Sequence, residues 1–186
     1  MRGLRIIAGS RKGRRIEHPG VSAVRPTKDR VREAVFSMIN FELPSARVLD
    51  LFAGSGAYGL EALSRGAEKA FFVENDPACL ETVRRNIHQL GLSTSAELVP
   101  GDAFSRIEGF GARKDTFDII FADPPYRGNA ARNTLIMINR YDILKHSGLL
   151  VLEHSGREPV PEGAGDISIL KQKTYGKTTI SIYNVK

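Results

Sequence analysis

The sequence predicts an α/β domain built on a mostly parallel sheet, with helices on both faces and an antiparallel hairpin at the C-terminal edge. Three observations predict it. From Arg47 onward, short apolar runs alternate with amphipathic stretches of helical period. The apolar runs are nearly continuous, as strands buried on both faces must be. A glycine-rich turn stands where the first of these strands gives way to a helix.

The elements follow in order. Leu4 to Ala8 and Arg14 to Glu17 are short extended segments, and Gly9-Ser10-Arg11-Lys12-Gly13 between them reads as a charged hairpin turn. Thr27 is placed to cap a helix from Lys28 to Phe41, with Val31, Ala34, Val35, Met38 and Ile39 on its apolar face and Arg30, Arg32 and Glu33 largely opposite. Pro44 ends it. Val48 to Phe52 is a strand, Tyr58 to Arg65 a helix closed by Gly66, and Ala70 to Val73 a strand delivering Glu74. Pro77 to Leu90 is an amphipathic helix with proline in its first turn and Gly91 at its end. Leu98-Val99 is a short strand and Phe117 to Ala122 a strongly apolar one. A helix from Ala131 to Leu144 and a strand from Leu149 to Glu153 follow. Asp166 to Gln172 and Thr178 to Val185 form the closing hairpin around Tyr175-Gly176-Lys177.

A chain of 186 residues has room for this one domain and a small appendage. Cys79 is the single cysteine, so no internal disulfide forms, which fits a reducing, cytoplasmic setting. No apolar run reaches the length of a membrane span, and with no long apolar run after Met1 to Leu4 no secretory leader is expected. His18, His88, His146 and His154 have no metal-ligand spacing with one another or with Cys79, so no metal is expected. Nothing demands a dimer, and a monomer is expected.

The net charge is +6, but residues 1 to 32 carry ten basic groups against Glu17 and Asp29, a local +8. A basic block on a near-neutral body reads as a polyanion contact; the plainer reading is a solvated tail. Residues 1–25 are expected as a basic hairpin extension and 26–186 as the catalytic domain.

Gly54, Gly56 and Gly59 have dinucleotide-loop spacing, between a strand and a helix. Taken alone, this can be a tight turn with close helix packing. Asp50 precedes it, and a carboxylate there repels pyrophosphate but suits a cationic amino acid. Glu74, 20 residues past Gly54, ends the next strand, where it can accept both hydroxyls of a ribose. Asp102 ends the third, beside an adenine edge. Three strand-end carboxylates suit S-adenosylmethionine, which has an amino acid, a sulfonium, a ribose and an adenine but no phosphate. The expected pocket comprises Asp50, Phe52, Gly54, Ser55, Gly56, Glu74, Asn75, Asp102 and Ala103.

Asp123-Pro124-Pro125-Tyr126 follows the most apolar strand. Two prolines withhold two N–H donors and leave acceptors, which suits an exocyclic amine on a planar base stacked by Tyr126. Asp123, Pro124 and Tyr126 are therefore the candidate catalytic residues. Arg11, Lys12, Arg14, Arg15, Arg25, Thr27, Lys28 and Arg30 are the candidate nucleic-acid contacts, positioning phosphates rather than selecting a base.

These stretches resemble a known family. Arg5-Ile6-Ile7-Ala8-Gly9, Arg25 to Ala34, Leu49 to Gly56 with Gly59 to Ala67, and Phe117 to Tyr126 are similar to the bacterial methyltransferases that modify a guanine N2 of 16S ribosomal RNA. The Arg25 to Ala34 block is the most specific; the DPPY-type tetrapeptide is shared with many DNA and RNA amino-methyltransferases. The resemblance implies a Rossmann-like, seven-stranded methyltransferase sheet, S-adenosylmethionine as donor, and 16S rRNA in a partly or fully assembled small subunit as partner. It also implies Asp50, Gly54, Glu74 and Asp102 at the donor and Asp123 with Tyr126 at the base. Tyr58 departs from the pattern, standing where a smaller aliphatic residue is expected. Rival readings are a DNA amino-methyltransferase, a non-catalytic RNA-binding module and a nicotinamide oxidoreductase. None accounts equally well for the small size, the carboxylates and the double proline.

Overall fold

The computed structural model describes residues 4–20, 26–125, 128–157 and 160–185. Eight strands form one sheet: β1 (Arg47–Leu51), β2 (Lys69–Glu74), β3 (Ala96–Pro100), β4 (Phe117–Ala122), β5 (Leu144–Ser155), β6 (Gly163–Ala164), β7 (Ile167–Tyr175) and β8 (Thr178–Val185). Their order is β3-β2-β1-β4-β5-β8-β7-β6. The first five are parallel and β8, β7 and β6 antiparallel. This is the expected seven-stranded arrangement with a two-residue eighth strand added at the edge. The order reverses direction at β1, so a crevice opens at the carboxyl ends of β1 and β4, where open α/β sheets bind ligands.

The helices are α1 (Pro26–Met38), α2 (Ala57–Ser64), α3 (Pro77–Leu90), α4 (Ala103–Ala112) and α5 (Ala130–Arg140). The sheet separates two apolar layers. One gathers Val35, Phe36, Leu60, Val83, Ile87 and Phe121; the other gathers Phe71, Ile107, Phe110, Phe117, Leu135 and Ile138. Leu4, Ile6 and Ile16 from the N-terminal hairpin join the first layer. That hairpin is held by Ile6 N–H to Arg14 O at 2.9 Å and Ile16 N–H to Leu4 O at 3.0 Å.

Several boundaries depart from expectation. α1 begins at Pro26 and ends at Met38, so Thr27 lies inside its first turn and does not cap it. Proline suits that first turn because its missing N–H has no helical partner anyway. Arg32 is buried, not on the solvent side, and its guanidinium donates to Arg5 O at 2.6 Å. α4 is an element that the pattern did not predict. Gly109 and Gly111 weaken its helical signal, yet a Cβ on Gly111 would stand 2.8 Å from the Tyr141 side chain, so close packing takes precedence over propensity there. α5 stops at Arg140, before the expected Leu144. Leu144 instead starts β5, paired with Phe117.

Candidate active site

Carboxylates line one face of the sheet at or near the carboxyl ends of four neighbouring strands. In register, Asp50 of β1 lies between Phe72 of β2 and Phe121 of β4. Glu74 and Asp123 follow those partners by two residues, and residues two apart on a strand share a face. Phe121 pairs in turn with Val151 of β5, so Glu153 comes beside Asp123 on the same face.

Asp50 is buried and accepts the Gly59 amide at 2.9 Å. Burial pushes its pKa up to about 8; the Gly59 bond opposes the rise, and the Asp123 and Glu74 carboxylates add to it. A group so placed recovers its charge when a cation sits against it. Glu74 accepts the amides of Gly54 at 2.8 Å, Asn75 at 2.9 Å and Asp76 at 3.0 Å. The Gly54 N–H is thus turned onto a carboxylate, so it is not left free to cradle a phosphate as a dinucleotide loop does.

The glycines divide the remaining work. Gly54 has φ +56°, and a Cβ there would meet nothing closer than Phe52 O at 4.0 Å, so this side of the loop is open to a ligand. Gly59 lies against Phe72, where a Cβ would fall 2.3 Å from the ring. Its part is close packing of α2 on β2, together with the amide given to Asp50. Phe52 adopts φ +63°, rare for a bulky residue, and meets Phe104 edge-on at 6.2 Å. Ser55 is buried, and its carbonyl accepts from Asn86 at 3.0 Å. Asn75 is exposed. Asp102 is exposed and caps α4 by accepting the Ser105 amide at 3.0 Å, with Ala103 buried behind it.

Asp123 is partly buried, Pro124 buried and Pro125 exposed. Tyr126 and Arg25 lie outside the described residues. Thr27 and Lys28 are in the first turn of α1, and Arg30 is exposed on it.

The sequence reading did not single out Glu153. It is 7% exposed and accepts the Tyr58 hydroxyl at 3.3 Å. Tyr58, the residue that departs from the family pattern, stacks on Phe121 at 5.0 Å between ring centroids and on Phe36 at 6.0 Å. The signal for Glu153 was present: it follows the apolar run Leu149 to Leu152 directly, as Glu74 and Asp123 follow theirs.

Buried polar groups fasten the hairpin to this body. Glu61 accepts the amides of Ile7 at 2.7 Å and Ala8 at 2.9 Å and pairs with Arg65 at 2.8 Å. Ser64 donates to Ala8 O at 2.6 Å. Asn86 accepts the Glu17 amide at 2.7 Å and donates to Glu17 O at 3.0 Å. Of the expected RNA contacts, Arg11 donates to Leu90 O at 2.7 Å and Arg14 to Gln89 O at 3.0 Å. Both serve the last carbonyls of α3, where cations also meet the helix dipole favourably. Lys12 and Arg15 are exposed.

S-adenosylmethionine fits these residues. The buried Asp50 suits a cation, the fixed carboxylate of Glu74 hydroxyl donors and the open side of Gly54 a closely approaching ligand, and this donor carries an ammonium and ribose hydroxyls. Among the described residues, no three histidine, cysteine or carboxylate side chains gather as metal ligands, and no helix is long and apolar enough to cross a membrane.

Sheet order and site together define a Rossmann-like methyltransferase dependent on S-adenosylmethionine. The model of the family described as "Conserved hypothetical protein 95" matches residues 4–184. The Bacillus subtilis protein YlbH is 39% identical, over 97% of this chain and 98% of its own. Ribosomal RNA small subunit methyltransferase D of Escherichia coli is 34% identical, over 97% of this chain and 89% of its own. The solved structure of Escherichia coli yhhF superposes with a TM-score of 0.84 at 34% identity, covering 98% of each chain. The chain belongs to the ribosomal RNA small subunit methyltransferase D family.

Proposed function

We propose that this protein methylates the exocyclic N2 amine of a specific guanine in 16S ribosomal RNA of the small subunit, with S-adenosylmethionine as donor. The observation that carries the reading is the row of strand ends in which Asp50 calls for a cation and Asp123-Pro124 presents acceptors next to it. Asp50, Phe52, Gly54, Ser55, Gly56, Glu74, Asn75, Asp102 and Ala103 surround the donor in this reading. Asp123, Pro124 and Tyr126 hold the base.

When bound, S-adenosylmethionine supplies an electrophilic methyl group on a sulfonium. An arylamine nitrogen is a weak nucleophile because its lone pair is spread into the ring. The Asp123 carboxylate and the Pro124 carbonyl accept its two N–H groups and turn that lone pair out of conjugation. Positive charge would develop on the nitrogen as the N–C bond forms and the methyl–sulfur bond breaks, the electron pair leaving with sulfur as neutral S-adenosylhomocysteine. Asp123 stabilises that charge and takes the released proton, directly or through water. Holding both reactants in one geometry supplies most of the advantage.

Residues 1–25 act in this reading as an RNA-contact extension of the domain at 26–186. Arg11, Lys12, Arg14, Arg15, Arg25, Thr27, Lys28 and Arg30 meet phosphates. The protein works as a monomer in the cytoplasm on a partly or fully assembled subunit, whose folded RNA supplies selectivity a domain this small lacks. Small subunits from a strain lacking the protein, incubated with labelled donor, should yield one N2-methylguanosine in 16S RNA. Label in another base, or in DNA alone, refutes the reading.

A further inference from the structure

Glu153 is a buried carboxylate that the transfer step above does not use. It sits beside Asp123, since each follows its paired strand residue by two. Its Tyr58 partner is pinned by ring stacking on Phe121, in the strand that leads into Asp123. The Tyr58 hydroxyl is held well above its ordinary pKa, first by burial and then by the nearby Glu153 and Asp123 carboxylates, with the Arg32 guanidinium opposing. Asp123, Glu153 and Tyr58 therefore converge just past the end of β4 and beside the last residues of β5.

A guanine brought amine-first to Asp123 presents a second donor. Its N1–H points the same way as its N2 hydrogens, roughly parallel to one of them, and needs an acceptor when water is excluded. A carboxylate has about four acceptor positions, so Glu153 can take a guanine donor in addition to the partners it holds in the folded chain, Tyr58 among them. Adenine, or any purine with a lone pair at N1, would set that lone pair against the carboxylate instead.

We infer that Glu153, held in place by Tyr58, accepts the N1–H of the target guanine and so selects guanine among purines. The inference rests on the guanine-N2 reading above and deepens it. Glu153 is then a specificity-determining residue and Tyr58 a positioning residue acting through it. A site built to hydrogen-bond a donor rejects an analogue lacking it far more strongly than a merely apolar pocket does.

The test uses 2-aminopurine, which keeps the N2 amine but has a bare N1. Small subunits are rebuilt with 16S RNA carrying guanine or 2-aminopurine at the methylated position found by mapping. Wild-type kcat/KM should favour guanine by about 100-fold or more. In Glu153→Gln, whose amide can turn its NH2 toward a bare N1, guanine should lose about 10- to 100-fold and the preference should collapse below about 10-fold. Binding of S-adenosylhomocysteine should stay within about 3-fold of wild type. If Glu153→Gln does not fold, Tyr58→Phe should narrow the preference in the same direction by a smaller factor. An unchanged guanine preference in the variant, or an equal loss on both bases, overturns the inference and leaves the methyltransferase reading standing. A wild-type enzyme that leaves guanine N2 unlabelled overturns both.

Discussion

The amide of Gly59 donates to the buried Asp50 carboxylate at 2.9 Å, while a Cβ on Gly59 would fall 2.3 Å from the Phe72 ring. One residue thus fixes the first turn of α2 to the sheet and supplies a partner to the acid at the centre of the crevice. The Gly59 bond does not offset the burial of Asp50, and this sets the first expected outcome.

In the ligand-free protein, Asp50 has a folded pKa of about 8 against an ordinary 3.8. Between those values the folded state keeps a proton that the unfolded chain releases. Stability therefore falls as pH rises through this window and levels off above pH 8. Melting temperatures from pH 5 to 9 should show the fall, and Asp50→Asn should flatten it. In the proposed site the ammonium of S-adenosylhomocysteine meets the ionised acid, so its binding should tighten as pH rises from 6 toward 8 in the wild type but not in Asp50→Asn.

Asp123→Ala should remove methyl transfer, with kcat down by about 100-fold or more, and leave donor affinity within about 3-fold. Single-turnover assays on small subunits with calorimetry of S-adenosylhomocysteine measure the two separately. Near-normal turnover removes Asp123 from its role.

Lys12 and Arg15 are exposed, whereas Arg11 and Arg14 donate to the end of α3. Replacing Lys12 and Arg15 with glutamine should weaken RNA binding and flatten its salt dependence without moving the melting temperature. Arg11→Gln should do both, since it also loses a hydrogen bond worth about 1 kcal/mol. Titrations at several salt concentrations, with thermal melts, distinguish the two kinds of arginine.

Gly9 turns with φ +80°, and a Cβ there would fall 1.8 Å from Ser64 O in the backbone of α2. Gly9→Ala should displace the hairpin turn and cost about 1–3 kcal/mol. RNA affinity should fall while S-adenosylhomocysteine binding is retained, because the proposed donor pocket lies at the carboxyl ends of the strands. An equal loss of both would show that the hairpin supports the donor pocket as well.

Most of the sheet was legible in the sequence. β4 and α3 match the expected residues 117–122 and 77–90, and β1 and β2 come within a residue. Continuous apolar strands and a helix marked by Pro77 and Gly91 are local signals, written in a few neighbouring residues. α4, β6 and the early start of β5 were not legible. Gly111 and Leu144 are chosen by distant partners, Tyr141 and Phe117, while β6 has two residues, too few to show a period.

The sequence by itself determined the alternation of elements, the three acids expected at the donor, the Asp123 loop and the basic front end. All follow from residue type and spacing along the chain. Only the tertiary structure decided what those residues do to one another. It turned Gly54 onto Glu74, assigned Gly59 to packing, sent Arg11 and Arg14 to α3, buried Arg32 and brought Glu153 beside Asp123. The physical reason is that strand register and burial create neighbours tens of residues apart. A carboxylate's charge, reach and partners depend on those neighbours rather than on its own segment.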